Sequence, residues 1–360
     1  MGNAFTVRKR PHHGHNAGGG KGQKLRSRTL FRMGIGVDDR QDFAPTTQLK
    51  GSAMKFAILG AGGVGGYYGG LLARNGHQVC VLARTVNLAA LRERGLEVRT
   101  PEGSFTASVQ SSDNVKDFSG VDCALVAVKN YSLAEIAPAA AFLASQGALI
   151  VPLLNGVEVV DQLVANGVPQ RQLVGGLTAI SVVRTAPGVF ERRSPFQRVV
   201  LGELGPSQPE RKRRIEAIAQ AFREAGVDAS VSPDITADLW RKFAFIASMA
   251  AACGLSRTAI GPLRATPLGH LLIERAVREV ISVARAHKVA LADDEAERTI
   301  KTIDGLPDAM KPSLLIDLEA GRLTEIDDLS GAVSRLGKAC GVETPVHDTA
   351  AAAIGVSAKA

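Results

Sequence analysis

Several features that would indicate a membrane protein, a secreted protein or a metal site are missing from this sequence. No apolar run approaches the ~20 residues that a membrane-spanning helix needs, and there is no secretory hydrophobic segment. The four cysteines, Cys80, Cys123, Cys253 and Cys340, lie far apart and form no C-x-x-C pair. We therefore expect reduced, structural thiols in a cytoplasmic protein, with neither a disulfide framework nor a bound metal.

Aromatic residues are also scarce, at 4% of 360 residues, whereas 45% of the chain is hydrophobic. Leu, Val, Ile and Ala must therefore fill a core that is large enough for two domains. The net charge of +8 could suggest a nucleic-acid partner, but residues 1–53 carry ten basic and three acidic side chains, while the rest of the chain carries 33 and 32. The basic character thus belongs to this N-terminal arm.

The arm, residues 1–53, has no sustained apolar period and is predicted to be a disordered basic extension without a catalytic role. Met54 directly precedes the first predicted strand and would be a natural start for the folded protein. We expect a small-molecule partner and no membrane partner, and nucleic acid is not favoured. A homodimer is compatible with the sequence.

The most informative stretch covers residues 55–84, where an apolar run, a glycine cluster, a helical segment and a second apolar run follow one another. Its G-x-G-x-x-G spacing is typical of a dinucleotide site: Gly60 for the turn out of the strand, Gly62 for approach to a pyrophosphate, Gly65 for helix packing. The start of the following helix would face the phosphates. The predicted cofactor-binding loop comprises Gly60, Ala61, Gly62, Gly63, Val64 and Gly65. The alternative is a glycine-rich helix that packs on a sheet without a ligand.

The end of the second strand bears on which dinucleotide is bound. NAD sites usually place an acidic residue about 20 residues beyond the glycines, where it holds the ribose hydroxyls. Here the strand ends in Arg84, and no acid follows until Glu93. An arginine would pair with a 2′-phosphate, so the sequence favours NADP(H).

The order of apolar periods predicts an α/β fold: an N-terminal Rossmann-type doubly wound sheet followed by an all-helical C-terminal domain. We place the NADP-binding Rossmann domain at residues 54–232 and the helical substrate and catalytic domain at residues 233–356. The run RVVLGEL is predicted to close the sheet, and the period becomes helical at about Ser232.

Ligands of open α/β sheets lie at the carboxyl ends of the strands, where Arg84, Lys129 and Asn155 follow predicted strands. Lys129 could instead begin a solvated loop, and Asn155 could belong to an ordinary turn. In the helical part, Lys242 is either a snorkelling lysine or a proton donor whose pKa is lowered by burial or by Arg241. Glu325 could be a surface acid in a first helical turn.

Five stretches occur in this order along the chain: MKFAILGAGGVGGYYGGLLARNGHQVCVLAR, VAVKNYS, LLNGV, LWRKFAF and PSLLIDLEAGRLTEIDDLSG. Together they resemble the ketopantoate reductase (2-dehydropantoate 2-reductase) family over roughly residues 54–350. The first motif is shared by many dehydrogenases, whereas the W-R-K helix and the S-x-x-x-D-x-x-x-G-R-x-T-E-I-D stretch are far more specific. The family reduces the 2-keto group of ketopantoate with NADPH in pantothenate biosynthesis.

The resemblance implies roles for six residues. They are Lys242 as proton donor, Glu325 as substrate and cofactor contact, Ser313 at the substrate carboxylate, Asn155 between nicotinamide and lysine, Lys129 in the crevice and Arg84 at the 2′-phosphate. Where the family usually has asparagines one and two turns after the lysine, this chain has Ile246 and Ala250, and Leu154 replaces a common glutamine. A pocket without those amides would discriminate less well in favour of a substrate hydroxyl.

We therefore expect an NADP-dependent reductase that converts a 2-keto acid, nominally ketopantoate, to a 2-hydroxy acid. One alternative is a paralogous reductase of a more apolar 2-keto acid. Another, of a different class, is a non-catalytic NADP-sensing protein whose basic arm binds nucleic acid. The presence of Lys242 and Glu325 argues against the sensor, because a protein that only binds NADP would not need these two side chains.

Overall fold

The computed structural model describes residues 53–357, so the predicted basic extension lies outside the described residues except for Ala53. The strands are β1 (Lys55–Leu59), β2 (Gln78–Leu82), β3 (Leu96–Thr100), β4 (Gly103–Ala107), β5 (Gln110–Ser112), β6 (Cys123–Val126), β7 (Leu149–Pro152), β8 (Gly175–Ala179), β9 (Val182–Ala186), β10 (Val189–Arg192), β11 (Arg198–Gly202) and β12 (Asp228–Val231). The helices are α1 (Gly63–Arg74), α2 (Thr85–Arg94), α3 (Leu133–Ser145), α4 (Val159–Ala165), α5 (Pro209–Glu224), α6 (Ile235–Ser256), α7 (Ile260–Arg264), α8 (Pro267–Ala286), α9 (Glu295–Asp304), α10 (Ser313–Glu319), α11 (Ser330–Cys340) and α12 (Pro345–Ser357).

The central sheet is parallel and has the strand order β5-β2-β1-β6-β7. Four of its strands, β1, β2, β6 and β7, are nearly continuous apolar runs, because helices cover both of their faces, whereas the edge strand β5 is polar and partly exposed. The chain leaves β1 towards β2 and β5 and returns to β6 on the other side. The switch in strand order therefore opens a crevice at the carboxyl ends of β1 and β6, which is where such sheets bind ligands.

Two smaller sheets flank this core. In one of them two hairpins, β3 with β4 and β9 with β10, join in the order β4-β3-β10-β9. The prediction that β11 closes the main sheet was wrong. β11 instead lies between antiparallel β8 and parallel β12, a short strand that the sequence reading missed because it is only partly buried.

The C-terminal region is helical, and no strand follows β12 up to residue 357. Its core is built on α6, whose buried residues lie all around the helix because α8, α9, α10 and α12 pack against it. The expected α/β class, a Rossmann-type sheet followed by helices, is confirmed. None of the helices within residues 53–357 combines the length and apolar composition that crossing a membrane requires.

Candidate active site

The glycine loop joins β1 to α1, and the fold itself requires three of its glycines, Gly60, Gly63 and Gly65, because a Cβ at each would clash with backbone atoms. Gly60 has a φ of +110°, and a Cβ there would lie 2.9 Å from the backbone of Ala127. A Cβ on Gly65 would lie 2.2 Å from the carbonyl oxygen of Gly60. The tight turn and the close helix packing predicted for these positions are therefore present.

Gly62 differs, because a Cβ there would meet only the carbonyl oxygen of Ala127, at an ordinary 3.6 Å. The fold would tolerate a side chain at Gly62, so the space beside it is available to a bound group. Gly62 is also the N-cap of α1, whose first turn contains no acidic residue and whose first N–H groups have no partner within the helix. This loop fits the pyrophosphate of a dinucleotide.

Arg84 lies at the end of β2 as the N-cap residue of α2. Its guanidinium pairs with the carboxylate of Glu135 in the first turn of α3, and the two side chains are 60% and 61% exposed. An exposed ion pair of this kind contributes little stability and is easily exchanged for another anion. Arg84 is thus accessible to a phosphate, while Glu135 competes for it.

Lys129 and Glu325 are brought together across the crevice. Nζ of Lys129 donates to Oε2 of Glu325 at 2.8 Å and to Oδ2 of Asp317 at 3.2 Å. Burial disfavours the charge on Lys129, but the two carboxylates outweigh it and raise the pKa of Lys129. Glu325 is only 5% exposed, so the reading of this residue as a surface acid was wrong.

Asn130 and Asp317 belong to this cluster but were not singled out from the sequence. The backbone N–H of Asn130 donates to Oε1 of Glu325 at 3.3 Å, and its Nδ2 donates to the carbonyl oxygen of Asn155 at 2.7 Å. Asp317 lies one helical turn after Ser313, within the same specific motif. This spacing from Ser313 is the sequence signal that could have indicated Asp317. For Asn130 the only such signal was its position directly after Lys129.

Lys242 is the eighth residue of α6 and is partly buried. Burial lowers the pKa of Lys242 from 10.5 to about 8, and the negative charge of Glu325 acts in the opposite direction. Arg241 is not the cause of this pKa shift, since Asp238 and Glu295 pair with its guanidinium at 2.7 and 3.1 Å. The side-chain amine of Lys242 makes no hydrogen bond or ion pair with any residue between 53 and 357, so it is free to meet a ligand.

The remaining predicted positions are less closely connected. Ser313 is the first residue of α10 and is exposed, on the same helix as Asp317. On α6, Ile246 is partly buried and Ala250 is fully buried, so the helical turns after Lys242 are apolar. Leu154 is packed in the core between sheet and helices, so its side chain does not belong to a polar pocket.

Two family models match the chain. The model described as "Ketopantoate reductase PanE/ApbA" matches residues 56–206, and the one described as "Ketopantoate reductase PanE/ApbA C terminal" matches residues 234–357. The chain belongs to the ketopantoate reductase family. Membership makes it an oxidoreductase of a family that reduces 2-keto acids.

Relatives with this fold differ in what they are named for. The chain is 32% identical over 298 residues to the uncharacterized oxidoreductase YkpB of Bacillus subtilis, covering 82% of this chain and 96% of the relative. It is 30% identical over 311 residues to a 2-dehydropantoate 2-reductase of Caulobacter vibrioides, covering 84% and 98%.

Solved structures of the family superpose well on the chain. The PanE/ApbA family ketopantoate reductase from Ralstonia eutropha JMP134 has a TM-score of 0.76 at 27% identity, covering 85% of this chain and 99% of that one. D-mandelate dehydrogenase in complex with NADH has a TM-score of 0.74 at 25% identity, covering 85% and 99%. Family and neighbours together indicate a nicotinamide dinucleotide as cofactor.

Proposed function

We propose that the protein reduces a 2-keto acid to the 2-hydroxy acid with NADPH, ketopantoate being the nominal substrate. The observation that carries this proposal is the partly buried Lys242, whose pKa is about 8. Glu325, which Lys129 holds at the crevice of the dinucleotide fold, raises that pKa against the effect of burial. A lysine with such a pKa is mostly charged at neutral pH yet gives up its proton readily.

The nicotinamide supplies a hydride to the keto carbon when it is bound. The loop from Gly60 to Gly65 would hold its pyrophosphate, and Arg84 would hold a 2′-phosphate. Lys242 donates a proton to the oxygen that becomes negative, and its charge stabilises that oxygen beforehand. Asn155 and Ser313 orient the keto acid, and Glu325 keeps Lys242 protonated.

A second candidate is the reduction of a more apolar 2-keto acid, favoured by Ile246 and Ala250 after the lysine. The neighbouring D-mandelate dehydrogenase is named for a 2-hydroxy acid with a phenyl group, which is compatible with an apolar pocket on this fold. A pocket without hydrogen-bonding amides has little to gain from a substrate hydroxyl.

A substrate panel tests both candidates. Ketopantoate, 2-ketoisovalerate and phenylglyoxylate are each offered with NADPH and with NADH, and kcat/KM is measured from the oxidation of the nucleotide. Ketopantoate must be the best substrate with NADPH if the nominal assignment is right. A rate with ketopantoate no higher than with the other two refutes that assignment and supports the apolar candidate.

A Lys242→Ala variant separates the enzyme from a nucleotide sensor. We expect kcat to fall by about 10²- to 10⁴-fold while the Kd for NADPH stays unchanged, since the lysine acts on the keto acid. Lys301→Ala, at an exposed lysine on α9, is the control. If Lys242→Ala turned over keto acids as fast as the parent protein, the proposed mechanism would be wrong.

A further inference from the structure

Asn130 occupies the junction between the two parts of the candidate site. It follows Lys129 directly, is only 6% exposed and begins the short turn that leads into α3. Its amide Nδ2 donates to the carbonyl oxygen of Asn155, after β7, and its backbone N–H donates to Glu325, from the helical region. One residue therefore contacts two residues of the proposed reaction.

We propose that Asn130 is a positioning residue that holds Asn155 and Glu325 in the arrangement the reaction needs. The inference rests on the proposed function, because it takes Asn155 and Glu325 as groups that meet the ligands. Asn130 itself acts through them and has no assigned contact with substrate or cofactor.

The hydrogen-bond partners explain why residue 130 must carry an amide side chain. The carbonyl oxygen of Asn155 can only accept, so the nitrogen end of the Asn130 side chain must face it. The other end, Oδ1, is buried without a partner among residues 53–357. A carboxylate of the same shape would place an acceptor against the carbonyl oxygen and a negative charge beside Glu325.

The backbone packing around this contact is close. Gly156, next to Asn155, has a φ of +99°, and a Cβ there would lie 3.3 Å from the carbonyl oxygen of Asp328 and 3.6 Å from Nδ2 of Asn130. The carbonyl oxygen of Glu325 in turn accepts from the backbone N–H of Asp328 at 3.1 Å. The Asn155 loop is thus confined between Asn130 and the turn that carries Glu325.

The test compares Asn130→Ala and Asn130→Asp with a matched control, Asn166→Asp. Nδ2 of Asn166 makes the same kind of bond, to the carbonyl oxygen of Gln162 at 2.8 Å, but on an exposed helix end. We expect kcat to fall about 10-fold in Asn130→Ala and about 100-fold in Asn130→Asp, with KM for NADPH changed less than about threefold.

A second measurement does not depend on turnover. Hydrogen exchange of the segments 153–160 and 324–331 should accelerate in both Asn130 variants and stay unchanged in Asn166→Asp. If the parent protein reduced no 2-keto acid, the proposed function would fail, and exchange alone would decide whether Asn130 holds the two segments. An active parent protein with unchanged kcat in Asn130→Ala, or unchanged exchange in that variant, overturns the inference.

Discussion

The rate of keto-acid reduction should depend on the protonation of Lys242. Burial lowers the pKa of Lys242 to about 8, so the amine is about nine-tenths charged at pH 7 and about nine-tenths neutral at pH 9. Because reduction needs the charged amine, kcat should be level below about pH 7 and fall tenfold per pH unit above about pH 8. Oxidation of the hydroxy acid needs the neutral amine and should rise through the same range.

Replacing Glu325 by glutamine tests the cause of this pKa. The charge of Glu325 favours the charged form of Lys242 and raises its pKa against the larger effect of burial. Glu325→Gln should therefore move the basic limb to lower pH, by about one pH unit if the interaction is worth about 1.4 kcal/mol. Asp317→Asn is the matched control, since Asp317 also pairs with Lys129 but has no part in the pKa shift of Lys242.

The assay is the initial rate of NADPH oxidation at saturating keto acid, from about pH 5.5 to pH 10. The position of the limb is the readout, because Glu325→Gln also removes the proposed ligand contact and should lower the rate at every pH. A limb that stays at the pH of the parent protein, or that moves to higher pH, refutes the coupling of Lys242 to Glu325. A limb that shifts equally in Asp317→Asn would show a general charge effect instead.

Three further predictions concern the cofactor and the substrate. Gly65→Ala should lower Tm, because its Cβ would lie 2.2 Å from a backbone oxygen, whereas Gly62→Ala should keep Tm and weaken NADPH binding, as measured by thermal unfolding and fluorescence titration. Arg84→Ala should raise KM for NADPH by about 10- to 100-fold and leave KM for NADH unchanged, whereas Glu135→Gln, which frees the guanidinium, should lower KM for NADPH. Ile246→Asn should raise kcat/KM for ketopantoate relative to 2-ketoisovalerate by about 10-fold; an unchanged ratio would place the specificity elsewhere.

The sequence was sufficient for the dinucleotide fold because its signals are local. The glycine spacing, the apolar runs and the helix between them all lie within residues 55–84, and the structure forms them as β1, α1 and β2. Each of these elements is determined by neighbouring residues, so periodicity and turn chemistry are enough to predict it. The strand β12 was missed because its four residues, of which one is exposed, one is buried and two are partly buried, give no clear period.

Glu325 shows where local signals fail. Its neighbours resemble the start of a helix, where an acid is normally solvated, and α11 begins only at Ser330. The buried carboxylate is paired with Lys129, 196 residues away in the chain, which donates to it and offsets the cost of burying its charge. No periodicity carries that information, since the contact exists only after the helical region has folded against the sheet.

The two ends of the candidate site are therefore coupled by contacts that no single motif contains. Lys129 and Asn130 lie in the loop after β6, which the strand order places beside the glycine loop. Both residues donate hydrogen bonds to Glu325. Glu325 then acts on the pKa of Lys242. Because a salt bridge and a hydrogen bond hold the carboxylate in place, residues far away in the chain contribute to the pKa of Lys242, against the larger effect of burial. A substitution at Lys129 should therefore change the pKa of Lys242, even without direct contact between the two side chains.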